Sequence, residues 1–388
     1  MIRPNCPICS SYDSIELAHR DFSGAKCLVP FDGYVIKQCT CCGMVYAGDI
    51  NVSVPLEDYY REISKYENGE YLSYNTVMLE YREEIQFLKS ILSLDVPALD
   101  MGCGNGYVLK LLQEAGFSNL TGVDPSVGNC DMIRSKYRIK TVCGGLGRDI
   151  PEIDGLKFGL VMIENVLEHI VDIRGGMEQC MGYLYEDGCI HLSVPDVEQF
   201  CKTPDLYQQF SVEHVNYFTL QSLENLMKPY GLQLVDFKRK KGNTVAIYTL
   251  WKKTVPKVPH AEWKFEFDGK GNESIRTYLH ASAEIENSIK REMQKLEGKD
   301  IYVWGAGTHT AMLFQLHLLD GIQIKGIIDS NMNYRGKVVY GHRVLHLPED
   351  EVFSEYPILI SSQNSQDAIY GVIKKKFHLE NQVVRLYG

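Results

Sequence analysis

The stretch Leu99-Asp100-Met101-Gly102-Cys103-Gly104-Asn105-Gly106 follows a predicted strand and precedes a helix predicted over Tyr107–Ala115. Asp124 ends the next predicted strand, 18 residues after Gly106. Glycines at a strand-to-helix turn let a ligand approach the backbone, and an acidic residue ending the second strand can bind both ribose hydroxyls. The pattern therefore predicts an α/β domain that binds a cofactor containing a nucleoside.

Asp100 separates two classes of cofactor. A pyrophosphate at this helix N-terminus would be repelled by a carboxylate placed directly before the loop. A ligand that carries an ammonium and a sulfonium group would be attracted, and S-adenosylmethionine is such a ligand. A structural turn that binds nothing is the alternative interpretation.

Strand and helix patterns alternate between Pro97 and Lys253. Strands are predicted at Ala98–Asp100, Leu120–Asp124, Gly159–Ile163, Cys189–Val194, Leu232–Arg239 and Thr244–Trp251. The first four are separated by helical patterns, which is typical of a parallel sheet with crossover helices. The last two are joined by Lys240-Lys241-Gly242-Asn243, a turn signal that predicts an antiparallel hairpin.

Composition excludes several classes of protein. The chain has 388 residues, of which 45% are hydrophobic and 23% charged, as expected for a globular protein of two or three domains. Its net charge of −10 argues against a nucleic-acid partner, since binding phosphate backbones needs a basic surface. No run of 18 apolar residues predicts a membrane span, and residues Met1 to Asp13 lack the apolar core of a signal peptide. We therefore expect a cytoplasmic protein without a membrane partner.

The paired cysteines predict a metal site. Twelve cysteines are many for a chain expected in the reducing cytoplasm, where a disulfide scaffold is not favoured. Cys6-Pro7-Ile8-Cys9 and Cys39-Thr40-Cys41-Cys42-Gly43 form two C-x-x-C groups, which suit a closed, tetrahedral, structural zinc site. The predicted ligands are Cys6, Cys9, Cys39 and Cys42. Cys27 and Cys41 leave the ligand set open, and free buried cysteines are the alternative.

A candidate base lies beyond the predicted strand that ends at Val194. The segment Phe210-Ser211-Val212-Glu213-His214-Val215-Asn216-Tyr217-Phe218 should lie at the carboxyl edge of the sheet, where such folds bind ligands. A histidine with a carboxylate neighbour can titrate near neutral pH, so His214 is a candidate base that Glu213 could orient. The alternative is that His214 is a surface or capping histidine. His169 and His191 are weaker candidates for the base.

The C-terminal part predicts a second α/β unit. Val255–Gly271 is a predicted linker and Asn272–Leu296 a long helix, before strands predicted at Ile301–Trp304, Ile324–Asp329 and Ile358–Ser361. Trp304-Gly305-Ala306-Gly307-Thr308-His309-Thr310 follows the first of these, which favours dinucleotide binding, but Thr310 stands where a third glycine is expected. This unit either helps to hold a ligand or only supports the fold.

Residues 76–253 resemble a class I methyltransferase that uses S-adenosylmethionine. The resemblance rests on D-x-G-C-G-x-G, Thr121-Gly122-Val123-Asp124 and Glu164-Asn165-Val166-Leu167-Glu168-His169, and on the hairpin that closes the sheet. It implies a seven-stranded, Rossmann-like domain. By position, it also implies that the methionine end of the cofactor is lined by Asp100, Gly102, Gly104 and Gly106, that Asp124 binds the ribose, and that the cofactor is flanked by Glu164 and Asn165.

The whole chain is similar to zinc-containing C-methyltransferases that act on nucleotide-linked keto-sugars. The shared features are the four-cysteine N-terminal module, the central domain, an E-H-x-x-Y-F segment and a Rossmann-like C-terminal domain. The resemblance implies that His214, beside Glu213, removes a proton α to a sugar ketone, and that the enolate attacks the methyl group. Ser211 replaces a tyrosine of the compared members, which leaves carbon and oxygen acceptors both open. Tyr60 or Tyr66 could contact the substrate's oxygens or phosphates.

The expected organisation is a zinc module at 1–55, a helical connector at 56–95, a methyltransferase domain at 96–254, a linker and long helix at 255–298, and a Rossmann-like domain at 299–388. A nucleotide-sugar is the expected partner, and a monomer is compatible with the sequence. Three alternatives remain: a zinc-containing RNA base methyltransferase, a NAD-linked oxidoreductase that uses the C-terminal domain, and a binding module without catalysis.

Overall fold

A computed structural model of the chain describes the backbone of residues 3–25, 30–52, 59, 74–240, 245–347, 350 and 352–387. Side chains are described for the same residues except 25, 52, 74–80 and 333. The predicted turn at 241–243 and the candidate contacts Tyr60 and Tyr66 lie outside these residues, as does Cys27.

Seventeen strands lie within the described residues: β1 Ser14–Asp21, β2 Phe31–Cys39, β3 Val45–Val52, β4 Ala98–Met101, β5 Leu120–Asp124, β6 Lys140–Cys143, β7 Phe158–Glu164, β8 Leu184–Pro195, β9 Asn216–Tyr217, β10 Leu232–Arg239, β11 Ala246–Lys253, β12 Asp300–Trp304, β13 Gln323–Ile328, β14 Val338–Val339, β15 His342–Leu345, β16 Ile358–Ile360 and β17 Val383–Val384. The α-helices of the same residues are α1 Tyr74–Ile91, α2 Tyr107–Ala115, α3 Val127–Lys136, α4 Ile173–Tyr183, α5 Leu220–Met227, α6 Gly269–Gln294, α7 Thr308–Gln315 and α8 Gln366–Gly371.

The central sheet has seven strands in the order β10-β11-β8-β7-β4-β5-β6. Strands β4 to β8 run parallel, and β11 is antiparallel to both β8 and β10. This confirms the predicted parallel sheet that ends in an antiparallel hairpin. The sequence did not predict β6, because only its two middle residues are buried and so it carries almost no apolar pattern.

Burial and glycine explain the first strand-loop-helix unit. Every residue of β4 and β5 is buried, as expected for parallel strands that helices cover on both faces. Helix α2 begins after Gly106 and ends before Gly116, which has a φ of 105° and donates its N–H to the last turn. The predicted helix bounds are confirmed at both ends.

The fourth strand of the N-terminal sheet, β9, comes from the centre of the chain. Its order is β1-β2-β3-β9, and every pair is antiparallel. Strand β9 pairs Tyr217 with Val45 and Asn216 with Tyr46. The segment that carries the candidate base therefore ends inside the sheet of the N-terminal part.

The C-terminal sheet has the order β14-β15-β13-β12-β16-β17 and is parallel apart from β14. It confirms the second α/β unit and adds the short β14–β15 hairpin. Helix α6 begins at Gly269, three residues before the predicted start, because the Asp268 side chain caps it by accepting the Gly271 N–H at 2.8 Å.

One apolar cluster joins these parts. It contains Phe31 of the N-terminal sheet, Tyr278 of α6 and Leu313 of α7. A second cluster joins the cysteine pairs to strands and helices of the central sheet. Among the described residues, no helix is both long and apolar enough to cross a bilayer.

Candidate functional site

The predicted glycine loop lies at the carboxyl end of β4 and gives a ligand access to the backbone. Gly104 has a φ of 52°, and a Cβ added there would meet no atom within 4 Å. At Gly106, by contrast, a Cβ would come within 2.6 Å of Ile133. Gly104 is thus open toward a ligand, whereas Gly106 lets α2 pack closely on α3.

Asp124 is joined to this loop. Its Oδ2 accepts the Gly104 N–H at 2.8 Å, and its Oδ1 accepts the Ser126 N–H at 3.0 Å and the Asn129 amide at 3.2 Å. Burial raises the pKa of Asp124, and these three donors oppose the rise. The structure therefore brings together Gly104 and Asp124, which the sequence predicts to line the methionine end and to bind the ribose of one cofactor.

Asp100 is buried, and its surroundings disfavour the charged form of its carboxyl group. Neither of its oxygens has a hydrogen-bond partner among the described residues. Burial, reinforced by the charges of Glu164 and Asp124, raises its pKa well above the usual value. A buried group of this kind is rare, and a bound cation would satisfy it. The donor set fits the ammonium and sulfonium of S-adenosylmethionine.

Asn165 and Glu164 stand at the end of β7, next to β4. Asn165 has a φ of 52°, donates its N–H to the Ser193 carbonyl at 2.9 Å and its side-chain amide to the Tyr81 hydroxyl at 3.0 Å. Glu164 is buried beside His191, with the carboxylate oxygen 2.8 Å from the imidazole Nε2. All seven predicted cofactor residues therefore lie at or just beyond the carboxyl ends of three adjacent strands.

The sequence predicted neither of the two carboxylates that contact His191. Glu84 of α1 places its Oε1 at 2.8 Å from the same Nε2, and 107 residues separate the two in the chain. Burial alone would lower the pKa of His191, but the two carboxylates raise it to about 10. Burial and the charge of Glu84 raise the pKa of Glu164 to about 7.

The candidate base lies in a loop that is held from several sides. The Ser211 hydroxyl accepts the N–H groups of Glu213 at 3.3 Å and His214 at 3.1 Å. Tyr217 donates its hydroxyl to the His214 carbonyl at 2.8 Å, and Tyr59 donates to the Glu213 carboxylate at 2.5 Å. The backbone before β9 is thereby fixed.

Two further ionisable groups surround the His214 ring. The rings of His169 and His214 meet edge to face with centroids 4.8 Å apart, and Glu168 completes a group whose ligand atoms lie within 4.8 Å of one another. Burial raises the pKa of Glu168 to about 8. The sequence makes His169 a weaker candidate base than His214, yet its ring lies beside the ring of His214. Both residues adjoin the loop that follows Glu164 and Asn165.

The cysteine pairs form a compact cluster. The Sγ atoms of Cys6 and Cys42 are 3.6 Å apart, and those of Cys9 and Cys39 are 3.4 Å apart. Tetrahedral zinc with four bonds of 2.3 Å places its sulfurs about 3.8 Å from each other. The donor set fits zinc, and Cys41 is exposed and outside the group.

Side-chain hydrogen bonds brace the second glycine loop. Asp329 accepts the Ala306 N–H at 2.7 Å, and Thr310 donates its hydroxyl to the Gly305 carbonyl at 2.5 Å. The residue that stands in place of a third glycine therefore braces the loop.

Comparison with known proteins agrees with this geometry. The family model described as a methyltransferase domain matches residues 74–236. The chain contains a methyltransferase domain. With its D-x-G-C-G-x-G loop and seven-stranded sheet, the protein is a class I, S-adenosylmethionine-dependent methyltransferase.

Similar proteins include one that matches nearly the whole chain. The C-methyltransferase NovU of Streptomyces niveus is 22% identical over 374 residues, which cover 89% of this chain and 86% of the relative. Solved structures match about half of the chain. The CcbJ methyltransferase of Streptomyces caelestis is 16% identical over 51% of this chain and 98% of its own, with a TM-score of 0.41. The magnesium protoporphyrin IX methyltransferase of Synechocystis is 13% identical over 51% and 98%, with a TM-score of 0.42.

Proposed function

We propose that this methyltransferase methylates a carbon of a nucleotide-linked keto-sugar, with His214 as the base. The observation that carries the proposal is the position of His214. Its ring stands against His169 and the buried Glu168, in a fixed loop beside the strand ends that carry the cofactor residues. The likeness to a C-methyltransferase over most of the chain supports a carbon acceptor.

The predicted cofactor residues would each contact a different part of the bound molecule. Asp100 and Glu164 would face its cationic methionine end, Gly104 would admit it to the backbone, and Asp124 would accept from the ribose hydroxyls. When bound, S-adenosylmethionine supplies an electrophilic methyl group. The protein's contribution is to hold that methyl group in line with the acceptor carbon.

His214 would take the proton from the carbon α to the sugar ketone onto an imidazole nitrogen. The electron pair of that C–H bond forms the enolate and then the new carbon–carbon bond. His169 would donate a hydrogen bond to the enolate oxygen, which would stabilise the charge as it develops. Glu168 can carry a proton near neutral pH because burial raises its pKa to about 8.

Methylation of a sugar oxygen is the second candidate, and Ser211 is the observation that favours it. The resembling carbon methyltransferases have a tyrosine at this position, whereas the Ser211 hydroxyl here accepts two backbone N–H groups. A base at His214 can also deprotonate a hydroxyl. The two candidates differ in whether a carbon-bound proton is removed.

The N-terminal cysteines would hold a structural zinc. Four thiolates leave no open coordination position, so this metal would take no part in the reaction. We further propose the domain limits given above, with the C-terminal Rossmann-like domain helping to hold the nucleotide.

Proton exchange tests the base directly. The protein with S-adenosylhomocysteine is incubated with a nucleoside diphosphate keto-sugar in D2O, and the α-proton is followed by NMR. We expect exchange with the unaltered protein and at least a hundredfold slower exchange with His214→Ala, since a general base contributes about 10²–10⁴-fold. Exchange that survives in His214→Ala would remove His214 as the base.

A further inference from the structure

Arg3 is a buried arginine that precedes the first cysteine of the proposed metal site by three residues. Its relative exposure is 9%. One guanidinium nitrogen donates to the Val215 carbonyl at 2.9 Å, and another donates to the Asn216 amide oxygen. Neither the proposed reaction nor the proposed metal site assigns a role to this residue.

Both acceptors of Arg3 belong to the loop of the candidate base. Val215 directly follows His214, and its N–H donates to the Glu168 carbonyl at 2.8 Å. The Asn216 side chain donates to two more carbonyls of the segment around Glu168. The Arg3 guanidinium therefore lies where the segments that carry His214 and Glu168 are joined.

The positive charge of Arg3 forms no ion pair with a carboxylate among the residues that the structure describes, and its buried Nε has no hydrogen-bond partner there. Burial lowers the pKa of Arg3 to about 10, so the group stays charged near neutral pH. The Cys6 thiolate is the largest of the negative charges that oppose this lowering of the pKa, ahead of the Asp172 carboxylate. Because a buried charge without a counter-charge is costly, the cysteine cluster is the expected source of that counter-charge.

The proposed metal site carries the required sign of charge. Four thiolates and one Zn²⁺ have a net charge of about −2. The guanidinium carbon of Arg3 lies 5.8 Å from the centroid of the Tyr46 ring, and Tyr46 packs in the apolar cluster that holds three of the four cysteines. Arg3 thus contacts the His214 loop and shares Tyr46 as a neighbour with the cysteine cluster.

We propose that Arg3 is a positioning residue that couples the metal site to the loop of His214: the negative tetrathiolate holds the guanidinium, and the guanidinium holds the loop. The inference rests on the proposed zinc and is independent of the acceptor. Arg3 brings two properties to this role, a positive charge and a fork of N–H donors. The charge should make the metal-bound thiolates less nucleophilic, and the fork should order the loop.

Two substitutions separate these properties in the zinc-loaded protein. Arg3→Gln removes the charge and Arg3→Lys keeps it, whereas both remove the fork. The first readout is the rate at which iodoacetamide, which alkylates metal-bound thiolates, releases zinc to a chromogenic chelator. We expect Arg3→Gln to release zinc about threefold faster or more, and Arg3→Lys to stay within about twofold of the unaltered protein. Equal acceleration in both variants would overturn the proposal.

The second readout is hydrogen exchange at the Val215 amide, followed by NMR. Both variants lose the fork, so we expect this amide to exchange about tenfold faster or more in each of them. The Gly104 amide, in the cofactor loop, should keep its rate. Unchanged exchange at Val215 in both variants would show that Arg3 does not position the loop, and would overturn the proposal.

Arg20 provides a matched control. It is also a buried arginine, and it donates to the Phe210 carbonyl, in the same loop, at 3.0 and 3.2 Å. The ionisable groups that interact most strongly with Arg20 are tyrosines, with no cysteine among them. Arg20→Gln should therefore leave the rate of zinc release unchanged. Equal acceleration in Arg3→Gln and Arg20→Gln would mean that general destabilisation explains both, and would overturn the proposal.

Metal analysis separates this inference from the proposed zinc. A folded protein without zinc would contradict the metal site and this coupling together, whereas the failures described above would overturn the coupling and leave the zinc in place.

A measurement on the unaltered protein covers variants that fail to fold. The guanidinium protons are followed by ¹⁵N NMR before and after a chelator removes the zinc. We expect those of Arg3 to exchange about tenfold faster or more after removal, and those of Arg20 to change by less than about twofold. Protection that survives at Arg3, or is lost equally at Arg20, would overturn the proposal.

Discussion

Asp100 illustrates a residue that is unfavourable for folding and useful for binding. A buried carboxylate without a hydrogen-bond donor costs free energy, because folding removes its hydration and offers nothing in return. Its raised pKa means that the native state holds a proton that the unfolded chain releases. Stability is therefore lost as the pH rises above the ordinary aspartate pKa, and a bound cation would restore it.

Replacing Asp100 should separate stability from binding. Asp100→Asn removes the ionisable group, so we expect a higher melting temperature at pH 8 and an affinity for S-adenosylmethionine at least tenfold lower. Thermal unfolding and calorimetry measure the two effects. The control Asp205→Asn should lower the melting temperature, because Asp205 is already satisfied by protein donors. A destabilised Asp100→Asn that keeps its affinity would contradict this assignment.

The glycine loop shows which features of an element a sequence can predict. Its strand, turn and helix are contiguous, so glycine spacing and burial pattern carry the whole signal, and the helix bounds agree with the structure. The pairing of Glu84 with His191 carries no such signal, since it depends on how α1 docks against the sheet. The pairing of β9 with β3 of the N-terminal sheet likewise carries no local signal, because it is a tertiary contact between distant segments.

The short strand β9 is the element that fixes the candidate base. The Asn216 side chain donates to the carbonyls of Leu167 at 2.8 Å and Ile170 at 2.7 Å, and Arg3 donates to its amide oxygen. These bonds tie the His214 loop to the segment that carries Glu168 and His169. The His214 loop and the segment that follows β7 are thus held together as one unit.

Removing this anchor should impair the reaction more than cofactor binding. Asn216→Ala leaves two buried carbonyls unsatisfied, which should reduce the free energy of unfolding by about 3 kcal/mol, as measured in urea. We expect kcat to fall at least tenfold while the Kd of S-adenosylhomocysteine stays within about twofold.

Asn225 provides a matched control for this variant. It is also a buried asparagine, bonded to the backbone of Glu266 in both directions at 2.7 and 3.0 Å. Asn225→Ala should cost similar stability and leave kcat unchanged. Equal losses of kcat in both variants would mean that stability alone explains the effect of Asn216→Ala.

At the scale of the whole molecule, the N-terminal module and the methyltransferase domain share their cores. Cys39 and Cys42 lie in the same apolar cluster as Phe218 and Leu226. The N-terminal sheet in turn packs with the long helix and the C-terminal sheet. A metal at the cysteine cluster would therefore stabilise the surroundings of the acceptor site as well as its own module.

Metal removal tests this coupling. Metal analysis should give one zinc per chain, and Cys9→Ser should lower the zinc content and the melting temperature together. Methyl transfer should fall with the metal, whereas the affinity for S-adenosylhomocysteine should largely survive, since β4, β5 and β7 do not contain the cysteines. A metal-free protein with an unchanged melting temperature would show that the cluster is a set of free thiols.

The proposed reaction is methyl transfer to a carbon of a nucleotide-linked keto-sugar. The most direct measurement uses S-adenosylmethionine labelled with ¹³C in the methyl group and a panel of nucleoside diphosphate keto-sugars, with the product followed by ¹³C NMR. We expect the label on a carbon next to the ketone with the unaltered protein, and no labelled product with His214→Ala. A label on a sugar oxygen would show that the enzyme methylates oxygen and not carbon. An active enzyme that leaves every keto-sugar unlabelled and methylates another class of acceptor would exclude the proposed substrate class.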